Sequence, residues 1–86
     1  MNNGDGDKNQ FFHTSDFYIS RVIKSAGLPL KDIQINNFGK ATFVFENPKQ
    51  TAEYLIKKHW NRELKITSLD LVEAINQLKT RLHERL

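Results

Sequence analysis

The segment Lys57–Arg62, Lys-Lys-His-Trp-Asn-Arg, places the only tryptophan of the chain inside a cluster of positive charge. Lys65 follows closely, and Glu63 is the one acidic residue between Lys57 and Lys65. Cations neutralise phosphates and aromatic rings stack on bases, so this pattern is typical of nucleic-acid binding. The alternative is that Trp60 closes the hydrophobic core while the lysines form a solvated helix face.

A second pattern is an apolar stripe at helical spacing in the C-terminal segment, formed by Leu71, Ile75, Leu78 and Leu82. Burying each of these side chains contributes about 1.5–3 kcal/mol, so the stripe must be covered. Three arrangements remain open: the helix lies across the open sheet face, extends the helical layer, or pairs with a partner helix or its own copy. Arg81 and Arg85 on the same segment are further candidates for phosphate contacts.

The sequence contains no pattern that predicts catalysis. The three histidines are scattered, and no metal-ligand spacing joins them. Asp70 and Glu73 fit the positive end of a helix dipole better than acid–base chemistry. No nucleophile elbow or glycine-rich phosphate loop is present, and the absence of cysteine excludes disulfides and cysteine-based zinc sites. We therefore predict a protein that is not an enzyme and uses no cofactor and no metal.

Composition limits the class of protein further. Eighty-six residues make one domain, and the net charge of +3 permits nucleic acid as a partner without requiring it. No apolar run approaches the roughly 20 residues of a membrane span. Residues 1–8, rich in Asn, Gly and Asp, are predicted to be a disordered tail rather than a signal peptide. Residues 9–86 then form the folded domain, which we expect to be cytoplasmic.

The first half of the domain is predicted to form a strand, a helix and a hairpin. The strand covers residues 10–13, and the helix covers residues 16–26, capped by Thr14, Ser15 or Asp16 and ended by Gly27 and Pro29. Apolar and polar residues then alternate over residues 32–36 and 41–45, separated by the turn residues Asn-Asn-Phe-Gly.

The second half is predicted to contain two helices and a short strand between them. Asn47 begins the first of these helices, Pro48 is its first residue, Gln50 completes a capping box and Asn61 ends it. The strand covers residues 64–67, and the last helix starts near Ser68.

Together these elements predict an α+β fold, a two-layer ferredoxin-like sandwich of order β-α-β-β-α-β with an added C-terminal helix. Its sheet has four antiparallel strands and two helices on one face. Ile33, Ile35, Phe43 and Phe45 point inward from the hairpin.

Two family resemblances follow from particular segments. The segments FFHTSDFYISRVIKSAGLPL, ATFVFEN and HWNRELKITSLDLVEAINQLKTRL resemble a small family of uncharacterised domains from bacterial and phage genomes. This resemblance covers nearly the whole ordered chain and implies no activity.

The order of elements and the segment ATFVFE also resemble RNA-recognition motifs, which stack bases on aromatic rings of the open sheet face. In that alignment Lys40 and Thr42 occupy the two stacking positions, and Phe38 occupies the basic one. Only Phe11 or Phe12 on the first strand offers a ring to a base.

The resulting hypothesis is a small non-catalytic binding module. Our first choice is weakly specific nucleic-acid binding through Lys57, Lys58, Trp60, Arg62, Lys65, Arg81 and Arg85. The alternative is a protein-interaction or homodimerisation module that uses the apolar face of the C-terminal helix.

Overall fold

The computed structural model describes residues 10–86, so the predicted tail at residues 1–8 lies outside the described residues. Within these residues the chain forms an α+β fold with three strands and three α-helices. The elements in chain order are β1 (Phe11–Thr14), α1 (Phe17–Ser25), β2 (Leu30–Ile35), β3 (Ala41–Glu46), a 3₁₀ turn (Pro48–Gln50), α2 (Thr51–Trp60) and α3 (Ser68–Arg85). Within residues 10–86, no helix is both long and apolar enough to cross a membrane.

Helix α1 has well-defined ends because its sequence carries a cap at each one. Of the three candidate N-caps it is Asp16 whose carboxylate accepts the Ile19 N–H, at 3.2 Å. At the C-terminus Gly27 adopts a φ of 110°, a left-handed conformation that favours glycine. Its N–H donates to the Lys24 carbonyl, and the Leu28 N–H donates to the Ile23 carbonyl. This pair of bonds is a Schellman motif, which confirms the predicted role of Gly27.

The predicted hairpin between β2 and β3 is confirmed. The Asn36 side-chain oxygen accepts the backbone N–H groups of Phe38 and Lys40, both at 2.9 Å, and Gly39 supplies the positive φ that the turn needs. Ile33 lies opposite Phe43 and Ile35 opposite Ala41, so the apolar residues of both strands share one face.

Strand β2 begins two residues earlier than predicted because of a β-bulge between Leu30 and Asp32. The extra residue, Lys31, changes the alternation of the strand, so that Leu30 pairs with Phe45 on the core side while Asp32 pairs with Val44. Simple alternation cannot predict this, because it places Leu30 and Asp32 on the same face.

The sheet has the order β1-β3-β2, with β3 antiparallel to both neighbours. Strands β1 and β2 therefore run in the same direction on either side of β3, and α1 connects them. The predicted fourth strand at residues 64–67 is wrong, because these residues form no strand and the sheet has three strands within the described part of the chain. The α+β class is therefore confirmed, but the predicted four-stranded ferredoxin-like order is not.

All three helices pack on the same face of the sheet. The buried core joins residues from every helix and from both strands of the hairpin, namely Ile23, Leu28, Ile33, Phe43, Phe45, Ala52 and Leu78. Because Leu78 of α3 belongs to this cluster, α3 extends the helical layer and does not cover the opposite sheet face. This is one of the three arrangements that the sequence left open.

Asn47 joins the end of the sheet to the start of α2. Its side chain is 1% exposed, and its Oδ1 accepts the Ala52 N–H at 2.6 Å while its Nδ2 donates to Glu53 at 3.0 Å. Its own N–H donates to the carbonyl of Gln10, just before β1. One buried residue therefore connects the end of β3, the start of α2 and the start of β1.

The predicted capping box at Gln50 is wrong. Lys49 and Gln50 have φ values of 53° and 58°, and Gln50 makes no capping hydrogen bond. Two consecutive left-handed residues turn the chain sharply, which starts α2 at Thr51 and lets Asn47 reach the Ala52 N–H from outside the helix.

We expect replacement of Asn47→Ala to lower the free energy of unfolding by about 2–3 kcal/mol, because the Ala52 N–H is buried and would lose its acceptor. Urea denaturation followed by circular dichroism measures this loss. Asn37→Ala, at an exposed turn position, is the matched control and should change stability little. Equal free energies of unfolding for the two variants would contradict the role assigned to Asn47.

Candidate functional site

An exposed aromatic cluster forms where the start of α1 meets the end of α2. The rings of Tyr18 and Trp60 are nearly parallel, at 11°, with centroids 5.7 Å apart. His59 contacts the edge of both rings, and the Tyr18 hydroxyl lies 2.7 Å from His59 Nε2. The hydrogen bond and the ring contacts fix Trp60 against α1 rather than leaving it free on the surface.

Trp60 does not close the core. Its side chain is 61% exposed, and Tyr18 is 42% exposed. The indole therefore remains largely accessible to solvent although it contacts Tyr18 and His59. An accessible aromatic ring held by its neighbours is what a stacking ligand requires.

Cations contact two tyrosine rings on α1 and α2. The guanidinium of Arg21 lies 5.5 Å from the centroid of the Tyr18 ring, and the ammonium of Lys58 lies 5.5 Å from that of Tyr54. Both distances are those of cation–π contacts, which hold the charged groups close to the aromatic faces.

Helical spacing places the remaining groups of the site side by side. Tyr54, Lys57, Lys58 and Asn61 recur at intervals of three and four, and with Glu63 they line a depression of about 380 Å³. Tyr54 is 60% exposed. We call the combined surface the aromatic–basic patch; it consists of Tyr18, Arg21, Tyr54, Lys57, Lys58, His59 and Trp60.

Arg62 and Lys65 lie beyond the end of α2, and both side chains are exposed. Arg62 has a φ of 63°, and its N–H donates to the His59 carbonyl while the Glu63 N–H donates to the Lys58 carbonyl. These bonds again form a Schellman motif, here with arginine in the left-handed position that glycine normally occupies. The motif ends α2 directly after Trp60.

The structure assigns Arg81 and Arg85 to a different region. Arg85 donates to Asp32 Oδ1 at 2.9 Å and to the Ile33 carbonyl at 2.8 Å, so it clamps α3 to β2. Arg81 lies near the same strand, beside Asp32 and Ile33. The seven residues predicted to bind nucleic acid therefore fall into two groups, and Arg85 already has protein partners.

The four residues of the apolar stripe of α3 are not equally buried. Leu78 is fully buried, Leu82 packs against the core and Ile75 is half-buried, whereas Leu71 is 40% exposed. The surface that α3 leaves open lies at its start, where Leu69 and Val72 are 64% and 52% exposed. Sequence periodicity missed this patch because its two residues lie beside the stripe rather than in it.

The sheet face opposite the helices offers one of the two rings considered for it. Phe12 pairs with Phe45 on the core side, whereas Phe11 lies on the open side and is 38% exposed. Thr42, at a position where the RNA-recognition pattern has a ring, is within 3.3 Å of the Ser15 hydroxyl.

Within residues 10–86, no group of three histidine or acidic side chains is close enough to hold a metal ion.

Comparison with known proteins gives one match. The family model described as Domain of unknown function (DUF5659) matches residues 9–84. No curated protein and no solved structure matches the chain. The family match confirms the resemblance to an uncharacterised domain family, while the bacterial and phage origin stays a prediction.

The left-handed conformation of Arg62 gives a stability prediction. Arg62→Gly should raise the free energy of unfolding by about 1 kcal/mol, because glycine adopts a positive φ without a Cβ clash. Arg62→Ala removes the same charge but keeps the clash, so it should give no such gain. Urea denaturation of both variants separates the two effects, and equal stabilisation would show that charge rather than backbone strain is responsible.

Proposed function

The chain belongs to the DUF5659 family, and from the aromatic–basic patch we propose that it is a non-catalytic module that binds single-stranded nucleic acid with little sequence preference. The observation that carries the proposal is Trp60, an exposed indole in contact with Tyr18 and His59 at the end of a helix whose last turns also carry Lys57 and Lys58. A stacked base would occupy the exposed part of the indole, and the lysines would neutralise phosphates of the same strand.

The proposed binding mode is largely electrostatic. Lysine ammonium groups recognise phosphates without distinguishing bases, and every base has a π face for Trp60. Arg62 and Lys65 continue the positive charge past the end of α2. Arg81 and Arg85 are not part of this surface, because Arg85 is bound to Asp32 and Ile33 on β2.

Because Trp60 is the only tryptophan, its fluorescence reports directly on the site. We expect an oligo(dT) strand to quench this fluorescence by stacking, and an inorganic polyphosphate of equal charge to bind without comparable quenching. Trp60→Ala should weaken oligo(dT) binding, measured by anisotropy of a labelled strand, by about tenfold or more, since one stacked base contributes roughly 1–3 kcal/mol. Phe38→Ala removes another highly exposed ring, in the hairpin turn, and is the matched control. An equal effect of both variants would contradict stacking on Trp60.

The charge contribution has its own test. Lys57→Gln combined with Lys58→Gln should reduce the slope of log affinity against log salt by about 1.4, the value for two phosphate contacts on a single strand. Lys31→Gln combined with Lys40→Gln removes the same net charge from the β2–β3 hairpin and should leave the slope nearly unchanged. If both double variants lower the slope equally, the protein responds to net charge alone and the patch is not the site.

A second candidate function is a protein-interaction or homodimerisation module using α3. It is favoured by the exposed Leu69, Leu71 and Val72 at the start of that helix. Apolar side chains grouped on a surface stabilise an interface when a partner covers them.

This candidate predicts a dimer whose dissociation on dilution is detected by sedimentation velocity. Leu69→Lys combined with Val72→Lys should shift the protein to monomer without unfolding it, because both side chains are more than half exposed. Leu78→Asp is unsuitable as a test because Leu78 is fully buried and its replacement would unfold the core. A wild type that stays monomeric at all concentrations would exclude the homodimer.

A further inference from the structure

A second cavity lies between α3 and the junction of α1 with β2, away from the aromatic–basic patch. Its volume is about 510 Å³, within the range of small-molecule pockets. Pro29 and Leu30 form an apolar floor, and Lys24 stands on the α1 side. The α3 wall consists of Asn76, Gln77, Thr80 and Arg81. We call this cavity the Lys24–Arg81 cleft.

The wall and the floor arise from simple features of the sequence. Asn76 and Thr80, like Gln77 and Arg81, are four residues apart, so α3 presents two parallel columns of polar groups on one face. The Schellman turn at Gly27 ends α1 and brings the next residues beneath α3. Polar donors therefore face an apolar surface across the cleft, which is the usual composition of a ligand pocket.

The charge inside the cleft is positive. Lys24 and Arg81 contribute two cations, and no aspartate or glutamate within the described residues lines the cavity. Lys24 Nζ donates to Gln77 Oε1 at 2.7 Å, so the ammonium is held at the wall while two of its three N–H groups stay free of that bond. The Gln77 oxygen is engaged by lysine, which leaves the amide group of this residue as a donor. An anion is the ligand that matches this set of donors.

The surroundings of the cleft limit the size of that anion. A neighbouring hollow that shares Lys24 and Gln77 contains Asp70 and Glu73. The hollow on the other side, which shares Arg81, contains Asp32 and Glu84. The phosphates of a long polyanion such as nucleic acid would be repelled by these carboxylates on both sides of the cleft. A small anion fits between them.

We propose that the Lys24–Arg81 cleft binds a small organic anion, a phosphate or carboxylate that carries a compact apolar group. The anionic group contacts Lys24 and Arg81, with the Gln77 amide and the Thr80 hydroxyl as further donors. The apolar group lies on Pro29 and Leu30. This site uses none of the residues of the aromatic–basic patch. The test of this site is therefore independent of the test of the proposed function.

The test uses phenyl phosphate and benzoate as probes, with phenol and inorganic phosphate as controls, in a titration of the ¹⁵N-labelled protein followed by NMR. Saturable shifts of the Leu30, Gln77 and Arg81 amides with either anionic probe are expected, and the two probes together tell a phosphate ligand from a carboxylate one. Phenol binding as tightly as the anions would overturn the role of charge. Inorganic phosphate binding as tightly as phenyl phosphate would overturn the role of the apolar floor.

Two variants test the assignment of the donors. Arg81→Gln should weaken binding of the better probe by about tenfold, the effect of losing one charge-assisted hydrogen bond. Gln77→Glu keeps the size of the side chain and its contact with Lys24 but adds a negative charge, so it should abolish binding. Lys40→Gln, in the hairpin turn, removes one charge elsewhere and should have no effect.

All three positions are outside the buried core, and thermal unfolding verifies that the variants remain folded. Absence of saturable shifts with both anionic probes would refute the site. Shifts of the same three amides on addition of oligo(dT) would also refute it, in favour of a nucleic-acid surface at this position.

Discussion

The buried amide of Asn47 is the interaction on which the rest of this structure depends. It receives the first free N–H of α2 and holds Glu53, while its backbone fixes the start of β1. An amide satisfied on both its oxygen and its nitrogen contributes stability, whereas the same group left unpaired in the core would cost several kcal/mol. Lys49 and Gln50, the two left-handed residues after Pro48, carry backbone strain, which the bonds of Asn47 help to offset.

The position of Asn47 also affects where the candidate surface lies. The direction of α2 is set at its start, and the last of its ten residues, Trp60, packs against Tyr18 of α1. The Schellman turn at Arg62 then ends the helix directly after Trp60. No further helical turn follows the indole, which lies at the surface. The fold thus presents His59 and Trp60 at the junction of two helices, next to the lysines of the preceding turn.

Much of the architecture was predictable because several signals were local. The caps of α1, the Asn-Asn-Phe-Gly turn and the inward-facing Phe43 and Phe45 each follow from a few neighbouring residues. The bulge at Lys31 and the left-handed pair at Lys49 and Gln50 were not predictable, since neither involves glycine. Residues 64–67 alternate like a strand but form none, because alternation reports which side chains are buried and not whether a neighbouring strand is in reach.

The candidate site was only partly predictable for a related reason. The run from Lys57 to Arg62 indicated that the cations and the tryptophan share one segment at the end of α2. The contact between Tyr18 and Trp60 joins residues about forty positions apart, and nothing in the sequence spacing indicates it. Charge counting also placed Arg85 with the other cations, although its guanidinium is bound to β2.

The contact of Arg85 with β2 also affects the exposed edge of the sheet. Strand β2 is an edge of the sheet, and an edge with free carbonyls is a template on which further chains can add and aggregate. By occupying the Ile33 carbonyl and placing a charged group beside the strand, Arg85 makes this edge a poorer template for such growth, and the opposite edge, β1, is four residues long.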